Sequence, residues 1–242
     1  MDDKKKIVGG EIAAQSPALR WLDNFWYHYK WPVIGIAVAV VIVLVCVLQT
    51  CTTKKADNRV IYAGPTFLQA EEREQISQVL SALSPEAGEK EVWVQFSANE
   101  IYSEEQIREF EENSKTQTID RVRNRSEYED YRSYMQTGQS SVYFLDPWLY
   151  ESLSKDYLCP LATSVGSLPE GALADGYGVR LGDTALYRDY GVLRYLPEDT
   201  VVCLMNPLFM TKSWQKEAYQ RETDLFAAIV TYEGDGARES GT

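Results

Sequence analysis

The chain has 242 residues, a formal net charge of −12 and a single histidine, His28. That acidic excess repels nucleic acid and anionic lipid at long range. With no histidine beyond residue 28, Ser-His and Cys-His catalysis and the usual histidine-bearing zinc sites are excluded from most of the chain.

Residues 1–20 are polar and mixed, with Lys4-Lys5-Lys6 and Gly9-Gly10, and carry little that would order them. Residues 21–31 (WLDNFWYHYKW) then place six aromatics in eleven positions. Trp and Tyr favour the headgroup level of a bilayer, so Trp26, Tyr27, Tyr29 and Trp31 are expected to form an interfacial collar. From Trp31 to Leu48 there is no charge, and ten of those residues are Val or Ile. A strand of that length would be unusual in water, whereas in lipid a helix alone satisfies its own backbone. Residues 31–51 are therefore predicted to be a single transmembrane helix.

Its direction is read from its flanks. Lys4 to Lys6, Arg20 and Lys30 precede the helix, and Lys54, Lys55 and Arg59 follow it. The positive-inside count places residues 1–30 in the cytoplasm by a narrow margin and the larger domain outside the cell. The segment reads as an uncleaved signal anchor, because about thirty residues precede the apolar core and no A-x-A site follows it. Leu48-Gln-Thr-Cys51 is a poor lipoprotein site, since Gln and Thr stand before the cysteine.

Residues 1–51 hold five basic and four acidic side chains, so an excess of thirteen negative charges falls on the remainder. Residues 52–58 read as a linker, 59–231 as an extracytoplasmic α/β domain and 232–242 as a disordered tail. In the domain, residues 59–65 (RVIYAGP) form a predicted buried strand closed by a Gly-Pro turn. Ile76, Val79, Leu80 and Leu83 recur at helical spacing and predict a helix over 69–83. Residues 91–97 alternate as a second strand. Ser103 and Gln106 form a capping box for the next helix. A further helix carries Ile119, Val122, Tyr128, Tyr131 and Met135 and stops at Gly138. Residues 141–145 are a third strand, and Asp146-Pro147 opens a short helix. Residues 160–184 are expected to be loop, 186–195 strand-like, 200–205 an apolar strand, and 214–230 a final helix. Strands alternating with helices predict one layered α/β domain with a mostly parallel sheet. Cys159 and Cys203 leave two readings open, a disulfide or two buried thiols.

Tyr134 to Gly138, the strand Ser141 to Leu145, Asp146 and the segment Leu153 to Leu161 resemble type II extracellular solute-binding proteins. There a helix, a turn, a strand, a short helix and a Pro-Leu segment follow in that order. Residues 201–206 (VVCLMN) are similar to the strand that crosses between the two lobes of that family. The likeness is one of pattern, scattered over residues 60–210. Gln139 and Ser141 depart from it, standing where the family commonly has Asp. The resemblance implies one lobe of a periplasmic-binding-protein-like fold. A second lobe is not expected, because one helix and a tail follow Asn206. The arrangement of FWYHYKW, anchor and YxGP strand is also similar to single-pass membrane proteins of clostridial-type Gram-positive bacteria, a likeness that carries no activity.

In open α/β sheets ligands sit outside the carboxyl ends of the strands. That rule nominates Gly64, Pro65 and Thr66 after the first strand, Ser97 and Asn99 after the second, and Asp146 after the third. Each also has an ordinary role: Gly64-Pro65 as a turn, Asp146 as a cap. Arg121, Arg123 and Arg125 stand among Asp120, Glu127, Glu129 and Asp130 with no aromatic platform, and read as a solvated helix face. No nucleotide loop, cofactor motif or metal set occurs. The leading expectation is a membrane-anchored binding or interaction module without catalysis. Its partners would be the bilayer and either a small molecule or another membrane or surface protein, not nucleic acid. An accessory or assembly subunit of a membrane complex is the alternative, and an extracytoplasmic carboxylate-dependent hydrolase the third.

Overall fold

The computed structural model describes residues 17–52, 56–85, 92–114, 117–206 and 213–234. Residues 235–242 of the expected tail and residues 53–55 of the expected linker lie outside that set. The chain divides into two units, residues 1–54 and 55–242.

The first unit is one helix, α1 (Pro17–Thr52), which includes both the aromatic segment and the apolar run. Pro32 sits inside it and removes one backbone donor near the start of the apolar run. The window Tyr29–Val47 has a mean hydropathy of 2.6, and none of it is buried. At about 1.5 Å per residue it spans close to the roughly 30 Å of a bilayer's hydrocarbon core. Among the described residues this is the one helix long and apolar enough to cross a membrane. Such a helix also passes as a signal sequence.

The second unit is a five-stranded sheet with helices on both faces. In chain order it runs β1 (Asn58–Gly64), α2 (Ala70–Leu83), β2 (Val94–Glu100), α3 (Glu104–Asn113), α4 (Arg121–Thr137), β3 (Val142–Leu145) and α5 (Pro147–Ser152). Then follow α6 (Leu161–Ser164), β4 (Gly178–Arg180), α7 (Ala185–Asp189), β5 (Val201–Leu204) and α8 (Ser213–Val230). The strand order is β2-β1-β3-β5-β4. β1 pairs parallel with β2 and β3, while β5 pairs antiparallel with β3 and with β4. Four strands therefore share one direction and β5 alone is reversed, as a mostly parallel sheet requires.

Alternation along the strands separates two cores. Val60, Tyr62, Val142, Phe144, Val202 and Leu204 face the side covered by α2, α7 and α8, where Ile76, Leu80, Leu225 and Phe226 are fully buried. Ile61, Ala63, Tyr143, Leu145, Val201 and Cys203 face the other side, with Tyr131 of α4 and Leu149 of α5. Cys159 belongs to the first core and Cys203 to the second, and both are buried free thiols. That settles the choice between disulfide and thiols.

Two expectations are corrected. Residues 186–195 are helical, α7 followed by a 3₁₀ turn over Gly191–Tyr195, because the Thr184 hydroxyl accepts from Tyr187 N–H and starts a turn. Residues 160–184 contain β4 rather than loop alone. The long stretch leading to β4 is pinned by Lys155, whose Nζ lies 2.6 Å from Asp175 Oδ2 and 4.0 Å from the centre of the Tyr150 ring. Burial would raise the Asp175 carboxyl, but bonds from Lys155, Tyr177 N–H and Tyr150 outweigh it and hold the group below its usual range.

Candidate functional site

β1 and β3 are neighbours whose onward connections leave in opposite directions, β1 toward β2 and β3 toward β4. Their carboxyl ends therefore form the topological switch point at which open α/β sheets place ligands. Gly64, Pro65, Thr66 and Asp146 all lie there. The approach is close: a Cβ on Gly64 would stand 2.5 Å from the Tyr62 hydroxyl oxygen and 3.3 Å from Asp146 Cβ. Only glycine leaves room for both side chains.

The corner is polar and largely satisfied. Thr66 N–H donates to the Tyr62 hydroxyl (3.3 Å), and Ile101 N–H to the Gly64 carbonyl (2.8 Å). Asp146 Oδ1 accepts from Trp148 N–H (3.1 Å) and Oδ2 from Gln106 Nε2 (3.0 Å). Burial pushes the Asp146 carboxyl up, these two bonds pull it down, and nearby Asp199 adds to the rise, which prevails. Burial likewise takes the Tyr62 hydroxyl up to about 12. Asp146 is thus a helix cap with both oxygens occupied.

Ser97 and Asn99 are not at the end of their strand. β2 runs three residues further than its own alternation indicates, because β1 pairs with it residue by residue as far as Gly64 opposite Glu100. Ser97 lies opposite Ile61 and Asn99 opposite Ala63. Asn99 is buried and donates from Nδ2 to Glu127 Oε2 (3.0 Å) on α4. Glu100, Ile101 and Tyr102 take the rim position instead. The Tyr102 hydroxyl is raised to about 12 by its burial and by Glu100.

An open groove of about 660 Å³ follows, lined by Ile101, Tyr102, Ile107, Arg121, Tyr128 and Trp148 among others. Tyr128 and Trp148 stack with their ring centres 6.3 Å apart and planes 18° from parallel, and the Trp148 indole N–H is buried without a partner. The three arginines are paired: Arg121 with Glu104 (2.9 Å) and Glu111 (3.6 Å), Arg123 with Glu100 (3.1 Å), Arg125 with Glu129 (3.0 Å). The solvated helix face stands, but the expectation that no aromatic platform accompanies it does not. Trp148 comes from α5, more than twenty residues along the chain, so local reading could not place it there.

A second cavity, also about 660 Å³, lies at the opposite end of the sheet, between the last turns of α4, the start of β3 and the end of β5. Tyr128, Tyr131, Arg132, Met135, Leu153 and Met205 line it with several small polar residues. The signal for it was the Tyr128, Tyr131 and Met135 stripe, which spacing alone assigns to the core. Among the described residues, no group of three or more His, Cys, Asp or Glu is placed to hold a metal ion.

Compared with known proteins, the chain matches no family model, no curated protein and no solved structure.

Proposed function

We propose that the protein is a membrane-tethered binding module whose α/β domain captures a protein partner along the switch-point rim, without catalysis. The observation that carries this reading is the rim itself. Its groove is open and contains an aromatic stack, and two exposed apolar side chains lie on the segments that build the rim: Phe67, 60% exposed, after β1, and Val122, 81% exposed, in the first turn of α4. An open rim buries too little of a small ligand to hold it tightly, whereas a protein surface can cover the groove and both apolar side chains together.

The resemblance to a solute-binding lobe is part of the same proposal. The reversed β5, lying between β3 and β4, supports it, because residues 201–206 are the stretch that resembles the crossing strand. The clostridial-type likeness and the extracellular position of the domain belong to the proposal as well. The exposed collar residues, Trp26 at 52% and Trp31 at 75%, suit a bilayer interface.

The test is site-specific photocrosslinking of the full-length protein in its own membrane. A benzoylphenylalanine replacing Phe67 or Val122 should give discrete adducts, and one replacing Gln78, on the exposed side of α2, should not. Equal labelling from all three positions, or none from the rim, overturns the reading.

A further inference from the structure

The cavity at the amino end of β3 shares Tyr128 with the rim groove but has a chemistry of its own. It is a partly open space of about 660 Å³. It falls within the roughly 300–1,000 Å³ range of small-molecule sites. Its walls are Tyr128, Tyr131 and Met135 of α4, Leu153 after α5 and Met205 after β5, which together offer a mainly apolar surface. Arg132 is the one charged side chain among its described lining residues. It is exposed, and it takes part in none of the ion pairs found among the described residues. The Tyr131 hydroxyl is buried with no hydrogen-bond partner, although 2% of the residue is exposed. Burial raises its pKa, so it stays protonated and able to donate. A buried hydroxyl left unpaired is costly unless something arrives to meet it.

We propose that this cavity binds a small amphipathic monoanion, with its apolar body between Tyr128, Met135, Leu153 and Met205 and its charge at Arg132. A cation is disfavoured because Arg132 is the local charge. A multiply charged anion is disfavoured because a single arginine faces it within a domain carrying thirteen excess negative charges. The inference does not rest on the rim having a partner, since Arg132, Met135 and Met205 line this cavity and not the rim groove.

The chain has four methionines, Met1, Met135, Met205 and Met210, so methyl-labelled methionine gives a spectrum simple enough to locate binding directly. The full-length protein in nanodiscs would be titrated with 3-phenylpropionate and with its neutral counterpart, 3-phenylpropanamide. The expected result is saturable movement of the Met135 and Met205 methyl signals by the carboxylate, with affinity about tenfold or more above the amide. Arg132→Gln should remove that difference while leaving the melting temperature unchanged, since the residue is exposed. No movement of Met135 and Met205 at about 10 mM carboxylate, or equal affinity for the two compounds, overturns the proposal.

Discussion

Glu222 shows how far a single side chain can depart from what its neighbours in sequence suggest. It stands on α8 between Arg221 and Asp224, in a run that reads as a solvated helix, yet it is 7% exposed and accepts from Ser141 N–H at 2.7 Å. It satisfies the donor that begins β3, eighty-one residues earlier in the chain. Burial raises the carboxyl, and the bonds it accepts and Arg221 only partly oppose that. The folded state therefore keeps the proton at pH values where the unfolded state has lost it. The contribution of Glu222 to stability should be greatest below the ordinary carboxylate range and should fall as pH rises from there through the raised folded pKa, opposite in sign to that of Asp175. The slope from this one group is at most about 1.4 kcal/mol per pH unit. Asp146, also raised, adds a decline of the same sign. In Glu222→Gln, urea unfolding across pH 4 to 8 (about those limits) should show a shallower decline than the wild type. Identical slopes would mean that Glu222 titrates as it does in the unfolded chain.

Among the elements, α3 is the one whose local signal was complete and whose long-range role was not. Ser103 and Gln106 form the capping box that their spacing predicts: Gln106 N–H donates to Ser103 Oγ (3.1 Å), and Ser103 N–H to Gln106 Oε1 (2.8 Å). The remaining donor, Gln106 Nε2, reaches Asp146 at the other side of the switch point. Ser103→Ala should cost about 1 kcal/mol, the usual loss for a cap. Gln106→Met should cost more, because it breaks the box and also strips the buried Asp146 carboxylate of a charge-assisted donor. Comparing the two by urea unfolding checks this, and equal losses would show that the bond to Asp146 contributes nothing. The same division holds for the other elements. α2, α4, α5, β1, β3 and α8 lie within a few residues of their predicted bounds, because caps, turns and apolar periodicity are local. β2 extends to Glu100 because its partner strand does, and β4, three residues long, has no periodicity to detect. Residues 186–195 alternate like a strand, but the Thr184 cap makes them helical.

At the scale of the molecule, composition led to a layered α/β domain behind an apolar helix, and both are present. The strand order was not legible, since it depends on which edges pair. Nor was the cavity below α4, which is assembled from four separate stretches of chain. The helix has a physical consequence of its own. From Ile34 to Val47 every side chain is exposed, so in water it would present a continuous apolar surface far beyond what a soluble protein leaves uncovered. A bilayer removes that cost, and a helix leaves no backbone group unpaired within it. The basic residues on both flanks make direction the finer question, and the cytoplasmic count leads only narrowly. Protease added to intact cells decides it. With the N-terminus inside, digestion should remove the residues after about position 52 and leave a short membrane-embedded fragment containing α1. Complete protection of the domain would reverse the orientation. A mature chain lacking α1 altogether would make that helix a cleaved leader and release the rim from the membrane.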